Sequence, residues 1–159
     1  MIENIKNIKN DLTKARKEMF DKNLSDIQKE QVKQKVALLN TLYSDIVMFG
    51  KNNGNRETTE AEAVKIIKKF AVGVEETIKI CEKSGRDSSQ AKFELEVLNV
   101  YLPKQFNEVE LTNIISEIVN VQEDKTKKAM GKVMASLKEK YDGQYDGKLA
   151  STIVKNMLT

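Results

Sequence analysis

The chain has 159 residues, of which 32% are charged, 40% hydrophobic and 6% aromatic, with no tryptophan. That length accommodates one domain or two small ones, and the mixture fits thin helical bundles with solvated outer faces better than a thick globule. The net charge of +3 divides as 18 basic against 16 acidic residues before Pro103 and 9 against 8 from it onward, so neither half is strongly basic and any basic site must come from local clustering.

Taken in order, the apolar spacing predicts a first helix over 2–20. Ile5, Ile8, Leu12, Ala15 and Met19 form its narrow seam, with Lys6, Lys9, Lys14, Arg16 and Lys17 on or beside the rest of its surface. Such a basic amphipathic helix has two readings, a bundle helix with a solvated face or a helix resting on a membrane or an RNA. Ser25 caps a second helix, with Gln28 at the capping-box position, and Val32, Val36, Leu39, Tyr43 and Ile46 make its stripe. Around Leu38, Leu42, Val47, Met48 and Phe49 this helix is apolar on more than one side, which predicts burial from two directions. Residues 50–56, rich in Gly and Asn, read as a loop. They lack the Gly-Lys-Ser/Thr ending of a P-loop.

Thr59 caps a third helix and Glu62 completes its box. The stripe is Ala63, Ile67, Phe70, Val74, Ile78 and Cys81, and Gly85 is the left-handed residue after its end. Asp87 with Gln90 starts a fourth helix carrying Ala91, Leu95, Leu98 and Leu102 up to Pro103, the chain's one proline, which must stop it. Asn107 and Glu110 then form a capping box, with Phe106 and Leu111 as its hydrophobic staple. Three shorter helices follow. The first carries Leu111, Ile115 and Ile118. The second starts near Thr126 and carries Met130, Val133, Met134, Leu137 and Tyr141. The third is capped by Asp146 and buries Leu149, Ile153, Met157 and Leu158. The expectation is an all-α chain: an N-terminal bundle of about four helices over 1–102, joined through a proline hinge to a three-helix bundle over 103–159.

Most chemistry is excluded. Without histidine the commonest general base, the Ser–His and Cys–His pairs and the commonest transition-metal ligand are all missing. A single cysteine, Cys81, rules out a disulfide framework or a multi-cysteine metal site, and its helical phase predicts a small buried hydrophobe. The neighbouring carboxylates Glu75-Glu76 and Glu94/Glu96 diverge on a helix, so neither pair shares a proton. No catalytic residues, no cofactor and no metal are expected. No apolar run approaches membrane length, so a cytoplasmic protein without a membrane partner is the expectation.

One surface is more specific. At about 100° per residue from Thr126, the apolar set gathers on one side while Lys125, Lys128 and Lys132 gather nearly opposite, with Lys140 at the margin. Lysines at a helix N-terminus oppose the macrodipole, which a phosphate partner would relieve; an ordinary solvated face is the alternative. Gly131, inside the same helix, costs roughly 1 kcal/mol against Ala. Close approach of another backbone is the usual compensation, whether from RNA or from tight packing within the bundle.

The segment Glu94-Leu95-Glu96-Val97-Leu98-Asn99-Val100-Tyr101-Leu102-Pro103-Lys104-Gln105-Phe106, together with Met130-Gly131-Lys132-Val133-Met134 and Asp146-Gly147-Lys148-Leu149, resembles the GatB/YqeY family. Arg56-Glu57-Thr58-Thr59 and Lys83-Ser84-Gly85-Arg86 are similar to its free-standing YqeY-type members. The resemblance implies a helical N-terminal bundle followed by a tail like the C-terminal domain of the B subunit of glutamine-dependent tRNA amidotransferase. That tail contacts tRNA and carries none of the amide chemistry. Carried over by residue, Gly131, Lys132 and Asp146 match the tail motif, and Lys125, Lys128, Lys140 and Lys148 join them on electrostatic grounds. The expected function is a non-catalytic module binding tRNA or another structured RNA. A protein-interaction scaffold or self-associating bundle is the alternative, and an accessory to glutamine-dependent carbon–nitrogen ligation is a third reading.

Overall fold

A computed structural model describes residues 3–158, so Ile2 of the first predicted helix lies outside the described residues. Over those residues the chain is helical, without strands, and it packs as two compact units, Met1–Leu102 and Pro103–Thr159.

The first unit holds α1 (Glu3–Glu18), α2 (Asp26–Asn52), α3 (Glu60–Lys83) and α4 (Ser89–Asn99). Its most extensive packing is α1 on α2 and α3 on α4. Ile8, Leu39, Leu42, Ile46, Ile67 and Leu98 are fully buried at the centre. Each removes from water an apolar side chain worth about 1.5–3 kcal/mol.

Local chemistry starts and stops these helices as the sequence indicates. Ser25 Oγ accepts from the Gln28 amide (3.3 Å) while Gln28 Oε1 accepts from the Ser25 amide (2.9 Å). Thr59 and Glu62 form the same reciprocal pair at α3. Past the end of α3, Gly85 stands at φ +67°, the Arg86 amide reaches the Cys81 carbonyl (2.8 Å) and the Gly85 amide that of Glu82 (3.4 Å), the two bonds of a Schellman ending.

Glu62 also receives both guanidinium arms of Arg56, at 2.6 and 2.8 Å. These bonds, then the Thr59 amide and hydroxyl, pull its carboxyl from 4.5 down to about 2. A carboxyl depressed in the folded state adds stability above its unfolded pKa and loses it as pH falls through the folded value. Urea midpoints measured from neutral pH down to about pH 2 should therefore fall less steeply for Glu62→Gln than for the parent, with the difference developing below about pH 5. Parallel curves would mean that this exposed pair contributes nothing.

Several expectations are corrected. Gly50 is not in the loop: α2 runs through it to Asn52, and Gly50 is buried. Met48 and Phe49 are 48% and 38% exposed, because the buried face of α2 is the single line Leu39, Leu42, Ile46 and Gly50. Met19 is 38% exposed, since α1 ends at Glu18 and the seam ends with it. Cys81 is half-exposed, because burial along α3 stops at Ala71. Beyond that point a groove of about 510 Å³ opens between α2, α3 and α4, floored by Ala37, Leu38, Phe70 and Val74. Asp87 and Gln90 form no capping box: Asp87 accepts from the Ser89 amide and hydroxyl (3.0 and 2.5 Å), while Gln90 bonds Glu94 (3.2 Å).

The fourth helix stops at Asn99, before the proline, and Tyr101 and Leu102 follow in turns bonded back to Leu98 and Asn99. Val97 and Tyr101, absent from the predicted stripe, are buried, whereas Leu95 and Leu102 are half-buried. The Tyr101 hydroxyl donates to Asp11 Oδ2 at 2.5 Å, tying the end of this unit to α1. Burial, followed by Asp11, pushes the Tyr101 pKa well up.

The second unit holds α5 (Glu108–Asn120), a 3₁₀ turn (Lys127–Ala129), α6 (Met130–Tyr141) and α7 (Gly147–Met157). Its core centres on the fully buried Leu111, Ile115, Val133, Leu137, Ala150 and Val154. Asn107 and Glu110 form the expected box at α5, and both Phe106 and Leu111 join this core. The Phe106 ring meets Tyr141 edge to face at 5.4 Å, and the Phe106 amide donates to the Gln144 carbonyl (2.8 Å). Tyr145, which periodicity did not mark, is buried beside them.

Candidate nucleic-acid interface

The connection from α5 to α6 is shaped by one carboxylate. Asp124 Oδ1 accepts from the Thr126 amide (2.8 Å) and hydroxyl (2.6 Å), closing an Asx turn. The Ala129 amide then bonds the Thr126 carbonyl (2.9 Å), opening the 3₁₀ turn, and the buried Ala129 methyl anchors that turn on the core. Lys125, Lys127 and Lys128 all stand exposed on this connection. No side chain caps either the 3₁₀ turn or α6.

The helical phase used to align these lysines is therefore wrong in detail. Lys125 lies outside any helix, between α5 and the 3₁₀ turn, and Lys128 lies in that turn, where each residue advances about 120° rather than 100°. Lys125, Lys127, Lys128 and Lys132 are all exposed on the stretch that runs through the Asx turn and the short helix into the first turn of α6. Lys127 was missed for the same reason: an α-helical phase swings it off the face. The run Lys-Thr-Lys-Lys was the available signal.

Behind this edge, Val133 and Leu137 are buried while Met130, Met134 and Tyr141 are half-buried against the core. The charge balance at the edge is positive but not unopposed. The hydroxyl and amide of Thr126, with the Lys132 ammonium as a lesser contributor, hold the Asp124 carboxyl below its ordinary range. Asp124 is committed to the loop.

Gly131 is exposed, and a Cβ built on it would meet no atom within 4 Å. Packing inside the bundle, one of the two compensations expected for it, does not occur.

The remaining nominated residues are elsewhere. Lys140 is exposed near the C-terminal end of α6, eight residues beyond Lys132 and so about 12 Å along the axis. Lys148 is exposed in the first turn of α7. Asp146 is that helix's N-cap, accepting from the Lys148 amide (2.7 Å) and the Leu149 amide (3.0 Å). Its carboxylate has a structural task, the capping of α7. Lys125, Lys127, Lys128, Gly131 and Lys132 are thus exposed at and ahead of the start of α6, Lys140 near its end, and Asp146 and Lys148 at the start of α7.

Among the described residues, no three of His, Cys, Asp and Glu are placed to hold a metal ion, and no helix is long and apolar enough to cross a membrane. Against known protein families, the model described as Yqey-like protein matches residues 17–158 of this chain. No curated protein matches it.

Proposed function

Because the chain belongs to the family of Yqey-like proteins, we propose that it is a non-catalytic RNA-interacting protein of the cytoplasm whose C-terminal unit is directed at tRNA. Family membership carries a helical domain related to the tail of the amidotransferase B subunit. The observation that carries the RNA reading is the exposed lysine edge leading into α6, together with an open-faced glycine in the first turn of that helix. Lysines supply the non-specific attraction for a phosphate backbone, and Gly131 lets a ribose–phosphate strand come close.

The test is a titration of labelled tRNA and of matched duplex DNA at several salt concentrations. Binding to tRNA should be steeply salt-dependent, and Lys125→Glu/Lys128→Glu/Lys132→Glu should weaken it at least tenfold and flatten the salt slope by about 0.9 for each phosphate that is no longer neutralised. Full affinity after charge reversal would discard the reading. A protein-interaction scaffold is the second reading, favoured by the apolar-floored groove between α2, α3 and α4 and by the exposed Met48 and Phe49. It gains ground if tRNA does not bind at low salt.

A further inference from the structure

We propose that the outward face of α1 is a second nucleic-acid surface, one that holds the phosphates of single-stranded RNA along its cations and stacks an unpaired base on Phe20. At about 100° per residue, Ile5, Ile8, Leu12 and Ala15 point into the core, Lys6, Lys14 and Lys17 lie on the outward side, and Lys9 and Arg16 lie between the two, next to Ile5. All five are exposed. Among the described residues no ion pair neutralises Lys6, Lys9, Lys14 or Lys17, and Arg16 donates only to the neutral Asn40 Oδ1 (2.9 Å).

The helix also carries three carboxylates, which leave it a net charge of +2: Glu3, exposed in the first turn on the same side as Lys14 and Lys17, Asp11, which accepts from the Tyr101 hydroxyl, and Glu18, half-buried at the far end. The stripe ends at an aromatic ring left in water. Phe20 is 84% exposed, in a turn set by its amide on the Lys17 carbonyl (3.2 Å). One exposed Phe is unremarkable by itself. With these unpaired cations on the same helix it supplies the combination that binds single strands without sequence preference: charges for the backbone and a ring on which a base stacks.

A lipid surface would use the same cations, but a helix lying on a membrane enters it by its apolar face. In α1 that face is committed to Leu39, Leu42 and Ile46 of the core. The occupant this leaves is a polyphosphate strand. The surface belongs to the first unit and the lysine edge at α6 to the second, and residues 3–16 of α1 precede the segment that the family model matches.

The experiment uses the full chain, a labelled oligouridylate of about a dozen nucleotides, and thermal melts to establish that each variant is folded. Lys6→Gln/Lys9→Gln/Lys17→Gln should weaken binding about tenfold and lower the salt slope by about 2, at about 0.7 per single-strand phosphate. Phe20→Ala should weaken binding about fivefold at unchanged slope, and Phe20→Trp should retain it. The α1 substitutions should cause the same fold-loss of oligouridylate affinity when introduced into the Lys125→Glu/Lys128→Glu/Lys132→Glu background as in the parent, so that the two surfaces fail or succeed separately. The proposal is overturned if the α1 variants bind with unaltered affinity and slope. It is equally overturned if the parent ignores the oligonucleotide but binds phosphatidylserine vesicles through Phe20.

Discussion

Leu137→Ala is expected to cost about 2–5 kcal/mol and to unfold the C-terminal unit at ordinary temperatures. Leu137 is fully buried, on the face of α6 that meets α5 and α7. Its neighbours in the core, Leu111, Ile115, Val133 and Val154, are themselves fully buried and held by helices on either side, so the cavity would not collapse easily. The unit is small, and small units have little stability in reserve. A loss of this size is therefore comparable with the whole. Leu137→Met, which conserves volume, should cost less than about 1.5 kcal/mol. Amide hydrogen exchange over α5, α6 and α7 reads the difference directly. Protection unchanged by Leu137→Ala would contradict the packing described for α6. The same variant should lose the lysine edge, because Ala129 anchors the 3₁₀ turn on the core that Leu137 fills.

The second large effect sets two helical glycines against each other. Gly to Ala inside a helix ordinarily stabilises by about 1 kcal/mol. At Gly131 nothing opposes that gain, and Gly131→Ala should stabilise the free protein by up to about 1 kcal/mol. At Gly50 the sign should reverse. A Cβ there would lie 2.6 Å from the Thr58 amide nitrogen and 2.8 Å from its hydroxyl, and closer still to the Arg56 carbonyl oxygen. Two of these three are backbone atoms and cannot swing aside. The junction is also tightly bonded. The buried Thr58 hydroxyl accepts from the Gly50 amide (3.0 Å) and donates to the Ile46 carbonyl, while the Arg56 amide bonds the Gly50 carbonyl (3.1 Å). Forcing a methyl into it should cost about 1–3 kcal/mol. Urea unfolding of the two variants measures both signs, and a stabilised Gly50→Ala would show that the loop can back away from α2.

What was legible in the chain alone was what a few adjacent residues settle among themselves. Ser25 with Gln28, Thr59 with Glu62, Asn107 with Glu110 and Asp146 each satisfy amides within their own first turn, so their roles need no partner from elsewhere. Gly85 is readable for the same reason, because its positive φ answers a local steric demand. The exposure of Lys125, Lys128 and Lys132 was legible too, since a charged head without a partner is left in water wherever the helix points.

Tertiary structure decided the rest. Gly50 looks like a loop residue until residues 56–58 return across α2, and only then does its missing side chain mark a crossing inside a helix. Met48 and Phe49 carry the same apolar signal as Leu42 and Ile46, yet which of them is buried depends on the side from which other helices arrive. Val97, Tyr101 and Tyr145 were passed over because their burial comes from distant partners, with Asp11 ninety residues before Tyr101. The lysine edge is arranged by an Asx turn and a 3₁₀ turn, and the burial of Ala129 in the core sets where that turn lies against the bundle. Composition and spacing thus determined that this chain is helical and where most helices begin, because hydrogen bonds of short sequence separation control both. The side each helix buries, and the surfaces left open for a partner, came from packing between segments far apart in sequence, which no local pattern encodes.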